Sequence, residues 1–281
     1  MKLLRYGPPG EEKPGILDRD GAIRDLSNHV ADIDGDIIAP DSLARLKALD
    51  PASLPAVAGA PRIGPCVGNV GKFVAIGLNY SDHAKETGMP IPDEPVIFTK
   101  ATSSISGPND NIVMPRGAAK VDWEVELGIV IGRDAKYVDE VQALDTIAGY
   151  CVVNDVSERA FQLETSGQWV KGKSADTFGP IGPWLVTADE VPDPQDLDLW
   201  LEVNGERAQD GSTRTMIFSV PYLVSFVSRF MSLQPGDVIT TGTPPGVGHG
   251  RSPPAYLNPG DVVTLSVEGL GTQRQEVVAG D

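Results

Sequence analysis

Cysteine is almost missing from this chain: Cys66 and Cys151 are the only two. That is too few for a disulfide framework, and they do not stand in the paired spacing of a zinc site. A reducing cytosol is the default that follows. Long apolar runs are missing as well. No stretch reaches the roughly 18 uncharged apolar residues of a membrane span, and the opening Met1-Lys-Leu-Leu-Arg-Tyr-Gly-Pro8 has no apolar signal core. We therefore expect a cytoplasmic protein with no membrane partner. Positive charge is scarce: 23 Lys and Arg stand against 39 Asp and Glu, for a formal net charge of −16. Phosphate-backbone binding needs clustered cations, so nucleic acid is not an expected partner. A small anionic substrate stays open, because local cations or a bound metal can hold one within an acidic molecule.

Glycine (31) and proline (24) are abundant among the 281 residues, which implies many chain reversals and short strands. A hairpin is expected over Leu3–Tyr6, Gly15–Leu17 and Ala22–Leu26, turning at Asp18-Arg-Asp-Gly21. Asp41–Leu49 reads as a short helix with Asp41 as its N-cap. Residues 51–71 are rich in Pro, Ala and Gly, and read as a linker. The expected division is a small N-terminal unit, 1–70, and a larger one, 71–281. Strands are expected in the larger unit over 73–76, 96–99, 123–131, 150–153, 184–186, 199–203, 238–241 and 262–267. Helical spacing marks 141–148, 157–164 and 222–230.

The most informative segment is Asp122-Trp-Glu-Val-Glu-Leu-Gly-Ile-Val-Ile-Gly132. Alternation puts Trp123, Val125, Leu127, Ile129 and Ile131 on one face and Glu124 with Glu126 on the other. Two carboxylates side by side on a strand repel, and either solvent or a divalent cation can neutralise them. Oxygen ligands without Cys or paired His suit Mg²⁺, Ca²⁺ or Mn²⁺. An acidic face in water fits the same pattern. Asp155, at the end of the apolar run Tyr150–Val153, is a further ligand or a helix N-cap.

In Gly77-Leu-Asn-Tyr-Ser-Asp-His-Ala-Lys-Glu86, a helical turn would set His83 and Glu86 three residues apart on one face. A carboxylate on an imidazole supports general-base work on water, and a surface ion pair has the same spacing. Lys173, presented after Gly172, can hold a carboxylate, steady an oxyanion, or simply be solvated. Thr240-Thr-Gly-Thr-Pro-Pro-Gly-Val-Gly248 offers N–H groups able to meet an anion. Ser81 to Glu94, with Gly88, Pro90 and Pro92, is a candidate closing lid.

Together, Gly77-Leu-Asn-Tyr-x-x-His-x-x-Glu86, Asp122-x-Glu-x-Glu-Leu-Gly128, Asn154-Asp-x-x-x-Arg159, Gly172-Lys-Ser174 and Thr241-Gly-Thr-Pro-x-Gly-Val-Gly248 resemble the fumarylacetoacetate hydrolase family in order and spacing. The resemblance implies a mainly β fold with some α, a mixed β-sandwich roll carrying a small N-terminal α+β domain and pairing as a homodimer. It implies Glu124, Glu126 and Asp155 as Mg²⁺ or Mn²⁺ ligands, His83 with Glu86 as the water-activating pair, and Lys173 as the charge stabiliser. Arg159, Gln162 and Thr243 would contact substrate, with Tyr80 and Lys100 as further candidates. The implied activity is hydrolysis of the C3–C4 bond of a 2,4-diketo acid. Among family members, the chain looks like those acting on 2,4-diketo-3-deoxy-L-rhamnonate or L-fuconate, which yield pyruvate and lactate in L-rhamnose or L-fucose catabolism. Alternatives are a 2-oxo diacid isomerase or decarboxylase, an acylpyruvate or fumarylpyruvate hydrolase, a ureidoglycolate lyase, or a non-catalytic metabolite-binding protein.

Overall fold

A computed structural model describes residues 1–88 and 90–280. At its centre is strand Val125–Ile131, every residue of which is buried. It pairs antiparallel with Ile147–Asn154 on one side and Val238–Thr240 on the other. The sheet continues outward from Ile147–Asn154 through Gly179–Thr187, Lys2–Tyr6, Lys13–Leu17 and Ile23–Asp25. In the other direction it runs through Phe73–Gly77 to Val96–Lys100. The N-terminal hairpin thus extends the large sheet by pairing Lys2–Tyr6 with Gly179–Thr187. A second sheet, in the order Glu206–Ser212, Asp198–Val203, Val262–Val267, Gly271–Ala279 and Ile112–Met114, packs across it.

The two faces of Val125–Ile131 serve different cores. Val125, Leu127, Ile129 and Ile131 join Leu199, Leu201, Val263 and Leu265 between the sheets. Val130, facing the opposite way, packs with Leu3, Leu26, Ile33 and Ile38 of the N-terminal segment. Burial on both faces is what turns a β-branched run into an inner strand rather than a surface one. The fold is mainly β with some α, as expected from the resemblance.

Helix boundaries differ from expectation for local reasons. Helix Pro40–Lys47 has Ala39 at its N-cap without a side-chain cap, and Pro40 starts the first turn. Asp41 is therefore inside the first turn, where it complements the helix dipole. Asp139 and Gln142 form a capping box that starts Glu140–Leu144, and the chain then enters a strand at Ile147, so the expected helix over 141–148 stops early. Ser219 caps Val220–Ser228. Among the described residues, no helix is long and apolar enough to cross a membrane.

Candidate metal centre and active site

The antiparallel register pairs Val125 with Asn154 and Glu126 with Val153. Asp155, one residue past the strand, is thereby set beside Glu124, and its N–H donates to the Glu124 carbonyl at 2.9 Å. One carboxylate oxygen from each of Glu124, Glu126 and Asp155 lies within 4.8 Å of the others. The three residues are 7%, 1% and 1% exposed, so the acidic face of this strand is not in water. Asp155 is not a helix cap either. Glu158 takes that place for Arg159–Leu163, accepting the Phe161 N–H.

Cations close around this cluster. Lys173 Nζ donates to Glu124 Oε2 and Asp155 Oδ2, both at 2.7 Å. Arg159 Nη2 donates to Glu124 Oε1 at 2.6 Å, and its Nη1 to Gln162 Oε1 at 3.0 Å. Burial alone would raise the Glu124 carboxyl, but the adjacent Arg159 and Lys173 charges pull it down to about 2. Burial likewise opposes the Lys173 ammonium, yet Asp155 and Glu124 hold it above its ordinary value. Gly172 makes this placement possible. A Cβ there would stand 2.4 Å from the Glu158 carbonyl, so only glycine lets the turn before Lys173 press onto the helix carrying Arg159 and Gln162.

Glu126 has different surroundings. It accepts from the Thr240 hydroxyl and from Gly242 N–H at 2.7 Å, but among the described residues it has no cation as a hydrogen-bond partner. Burial first, then the Asp155 and Glu124 charges, push its carboxyl well above the ordinary range. Three inward carboxylates, one of them short of positive charge, are a donor set that a hard divalent ion fits. Glu124, Glu126 and Asp155 would hold it.

The two carboxyl shifts carry opposite pH signatures. Glu124, depressed in the folded chain, contributes stability above its unfolded value that is lost as pH falls towards about 2. Glu126, raised, costs the metal-free chain stability as pH climbs past its ordinary 4.5. A divalent ion takes the ionised form, so loading should release protons held by this site, up to about one. Calorimetry with Mn²⁺ in two buffers of different ionisation enthalpy reads that number, and identical heats would refute it.

The Gly-Thr loop does meet anions, but they belong to the protein. Gly242 N–H serves Glu126, Gly246 N–H serves Glu86 at 3.0 Å, and Gly248 N–H serves Asp122 at 2.7 Å. Gly246 has φ +102°, and a Cβ on it would meet the Ala208 carbonyl at 2.0 Å, so this turn is closed to other residues. Glu86 Oε2 lies 3.0 Å from His83 Nδ1, the pair expected from the three-residue spacing on helix Ser81–Thr87. Of the segment expected to form a lid, Met89 lies outside the described residues.

His83, Glu124, Glu126, Asp155, Arg159, Gln162, Lys173 and Thr243 line one pocket. Thr243 also donates to the Val125 carbonyl and accepts from Gln209, which fixes its position at the strand entry. Lys100 and Tyr80 do not line that pocket. Lys100 is 2% exposed behind the cluster, donating to Asp155 and to the Val156 carbonyl; it acts on a carboxylate of the protein. Tyr80 is fully buried among apolar side chains, and its hydroxyl has no hydrogen-bond partner among the described residues. An unsatisfied buried hydroxyl is a cost. Tyr80→Phe should therefore keep turnover within about twofold and leave stability unchanged or raised by about 1 kcal/mol. A tenfold loss of turnover would instead reinstate Tyr80 as a substrate contact.

Residues outside the expected site set also take part. Asp122 is a buried hub: its oxygens accept from Trp123, Gly248 and His249 N–H groups and from Arg159 Nε at 2.8 Å. It ties the cluster to the Gly-Thr loop. His249 lines the pocket, with Nδ1 2.9 Å from the Tyr256 hydroxyl; burial, then Arg159, lower its pKa. Asp122 was visible as the first acid of its motif, whereas nothing in the local sequence sets His249 apart.

Residues 72–278 match the model of the fumarylacetoacetate hydrolase C-terminal domain. The chain belongs to the fumarylacetoacetate hydrolase family. A Burkholderia multivorans protein whose name specifies nothing beyond hydrolase is 68% identical over 276 residues, covering 98% of each chain. Among solved structures, the 5-carboxymethyl-2-hydroxymuconate delta-isomerase of Mycobacterium smegmatis is 34% identical with a TM-score of 0.77. The maleylpyruvate hydrolase of Sphingobium sp. SYK-6, in complex with manganese(II) and pyruvate, is 29% identical with a TM-score of 0.82. Both alignments span the whole of both chains. This fumarylacetoacetate hydrolase family member is thus related to both hydrolases and isomerases.

Proposed function

We propose that the chain is a divalent-metal-dependent hydrolase that cleaves the C3–C4 bond of a 2,4-dioxo acid. The observation that carries this reading is the meeting of Glu124, Glu126 and Asp155 in one pocket with His83 and Lys173. When bound, Mg²⁺ or Mn²⁺ supplies positive charge for the oxo-acid end of the substrate and for the electron density that arrives there as the bond breaks.

The chain's own groups supply the rest. With Nδ1–H donated to Glu86, the proton-accepting nitrogen of His83 is Nε2, which takes a proton from water as the oxygen adds to C4. The protonated Lys173 faces the negative charge that develops on the C4 oxygen. Collapse of that adduct breaks C3–C4 and leaves the bonding pair on the three-carbon fragment as the enolate of pyruvate. Protonation at C3 gives pyruvate, and the C4 side leaves as a carboxylic acid. Arg159 and Gln162, locked together, give the substrate carboxylate a fixed wall.

Within this class, 2,4-diketo-3-deoxy-L-rhamnonate or its fuconate counterpart is the first substrate to try, with pyruvate and lactate as products. The deciding assay follows pyruvate release from 2,4-dioxo acids by chelator-treated protein with and without added Mg²⁺ or Mn²⁺. Metal-restored release supports the reading. Isomerised product without pyruvate would point to the other chemistry among the relatives.

A further inference from the structure

We propose that the pocket selects substrates whose tail beyond C4 is uncharged, and that Phe98, Leu163 and Trp169 set this preference. The inference rests on the oxo-acid end lying at the carboxylate cluster, as in the function proposed above. It concerns the apolar part of the same pocket's lining.

Phe98 and Trp169 meet edge to face, with ring centroids 5.3 Å apart. Trp169 lies against Gly77 so closely that a Cβ there would stand 2.5 Å from the indole ring. Phe98 joins this wall to the polar cluster, since Lys173 Nζ sits 5.1 Å from its ring centroid. Leu163 ends the short helix whose first residue is Arg159 and is 44% exposed at the pocket rim. That helix therefore runs from Arg159 at the carboxylate cluster to Leu163 at the rim.

The cations that line the pocket are already committed to the acidic cluster. Among the described residues lining the pocket, Lys and Arg are represented by Lys173 and Arg159, both ion-paired with the acidic cluster. His83 is paired with Glu86, and His249 with Tyr256. Cations near the rim are engaged elsewhere: Lys171 donates to Thr165 and Ser166, Lys120 pairs with Glu164, and Arg251 lies over the Trp123 ring. A distal carboxylate would lose water against Phe98, Leu163 and Trp169 without a countercharge, which is unfavourable. An alkyl or methyl-terminated tail gains from the same burial.

Two substrates matched in length isolate the tail charge: 2,4-dioxoheptanoate, ending in a methyl group, and 2,4-dioxoheptanedioate, ending in a carboxylate. With Mn²⁺-loaded protein, kcat/KM should favour the monoacid by at least about thirtyfold. Leu163→Arg, which sets a cation at the exposed rim, should raise kcat/KM for the dioate at least about tenfold and shrink the ratio. Equal use of the two acids by the native chain overturns the proposal. So does a ratio that Leu163→Arg leaves unchanged. Binding separates this failure from that of the catalytic reading: in calorimetry, 2-oxohexanoate should bind the Mn²⁺-loaded protein more tightly than 2-oxohexanedioate. If that order holds while neither dioxo acid yields pyruvate, the tail preference stands and the hydrolytic reading falls. Equal binding or no binding of either oxo acid counts against the tail preference itself.

Discussion

Glu126→Gln should abolish turnover by about a thousandfold or more, because several kcal/mol of charge stabilisation leave with the metal. The same change should make the metal-free protein more stable. Glu126 is a buried carboxyl pressed by Asp155 and Glu124, and a raised pKa is a folding cost at neutral pH. A Gln oxygen can still accept from Thr240 and Gly242, and its amide N–H can donate towards the neighbouring carboxylates. A melting-temperature gain of a few degrees is expected, equivalent to about 1 kcal/mol. Glu124→Gln should also stop turnover, yet with the opposite effect on stability. Its carboxylate is bonded to Lys173 and Arg159, and breaking a buried pair costs about 3 kcal/mol. Thermal denaturation without metal, paired with Mn²⁺ titration, reads both signs. If either variant bound Mn²⁺ and turned over like the native chain, the three-carboxylate site would be wrong. If both moved stability the same way, the electrostatic account of the pocket would be.

The site was legible where chemistry needs several residues at a fixed spacing. His83 and Glu86 could be read as a pair because one helical turn brings them together. Glu124 and Glu126 were visible as like charges on one strand face, though that strand alone favoured an acidic face in water over a metal. What completes a three-carboxylate donor set is Asp155, and its approach depends on a strand register between residues about thirty apart, which local sequence does not encode. The strands missed outright have a physical excuse. Gly271–Ala279 turns Gln273 and Gln275 inward, both fully buried. Their side-chain amides donate to the Val152 and Pro108 carbonyls, so inward positions of the strand look polar. Glu206–Ser212 hides itself in the same way, with buried Gln209 holding Val125 N–H and the Thr243 hydroxyl. Lys100 reads from sequence as a candidate substrate contact, and the fold sets its ammonium on Asp155 and the Val156 carbonyl, partners that local sequence does not reveal.

His83→Ala should lower kcat by about 10² to 10⁴-fold while Mn²⁺ affinity stays near that of the native chain, since His83 is not among the carboxylate ligands. Glu86 permits a sharper test. Its two oxygens lie 3.0 and 3.2 Å from Gly246 N–H, and Oε2 also faces His83 Nδ1. In Glu86→Gln the amide oxygen is required by Gly246 N–H, which turns the NH₂ group towards Nδ1. That donor forces the proton onto Nε2, the nitrogen that must accept one from water. Glu86→Gln should therefore lose nearly as much activity as His83→Ala. Glu86→Ala, which imposes no tautomer, should retain roughly tenfold more activity than the Gln variant. An ordinary polar contact would give the reverse order, with the closely shaped Gln tolerated better than Ala. Measuring kcat for the three variants at saturating Mn²⁺ distinguishes a base held in one tautomer from a histidine that merely lines the wall.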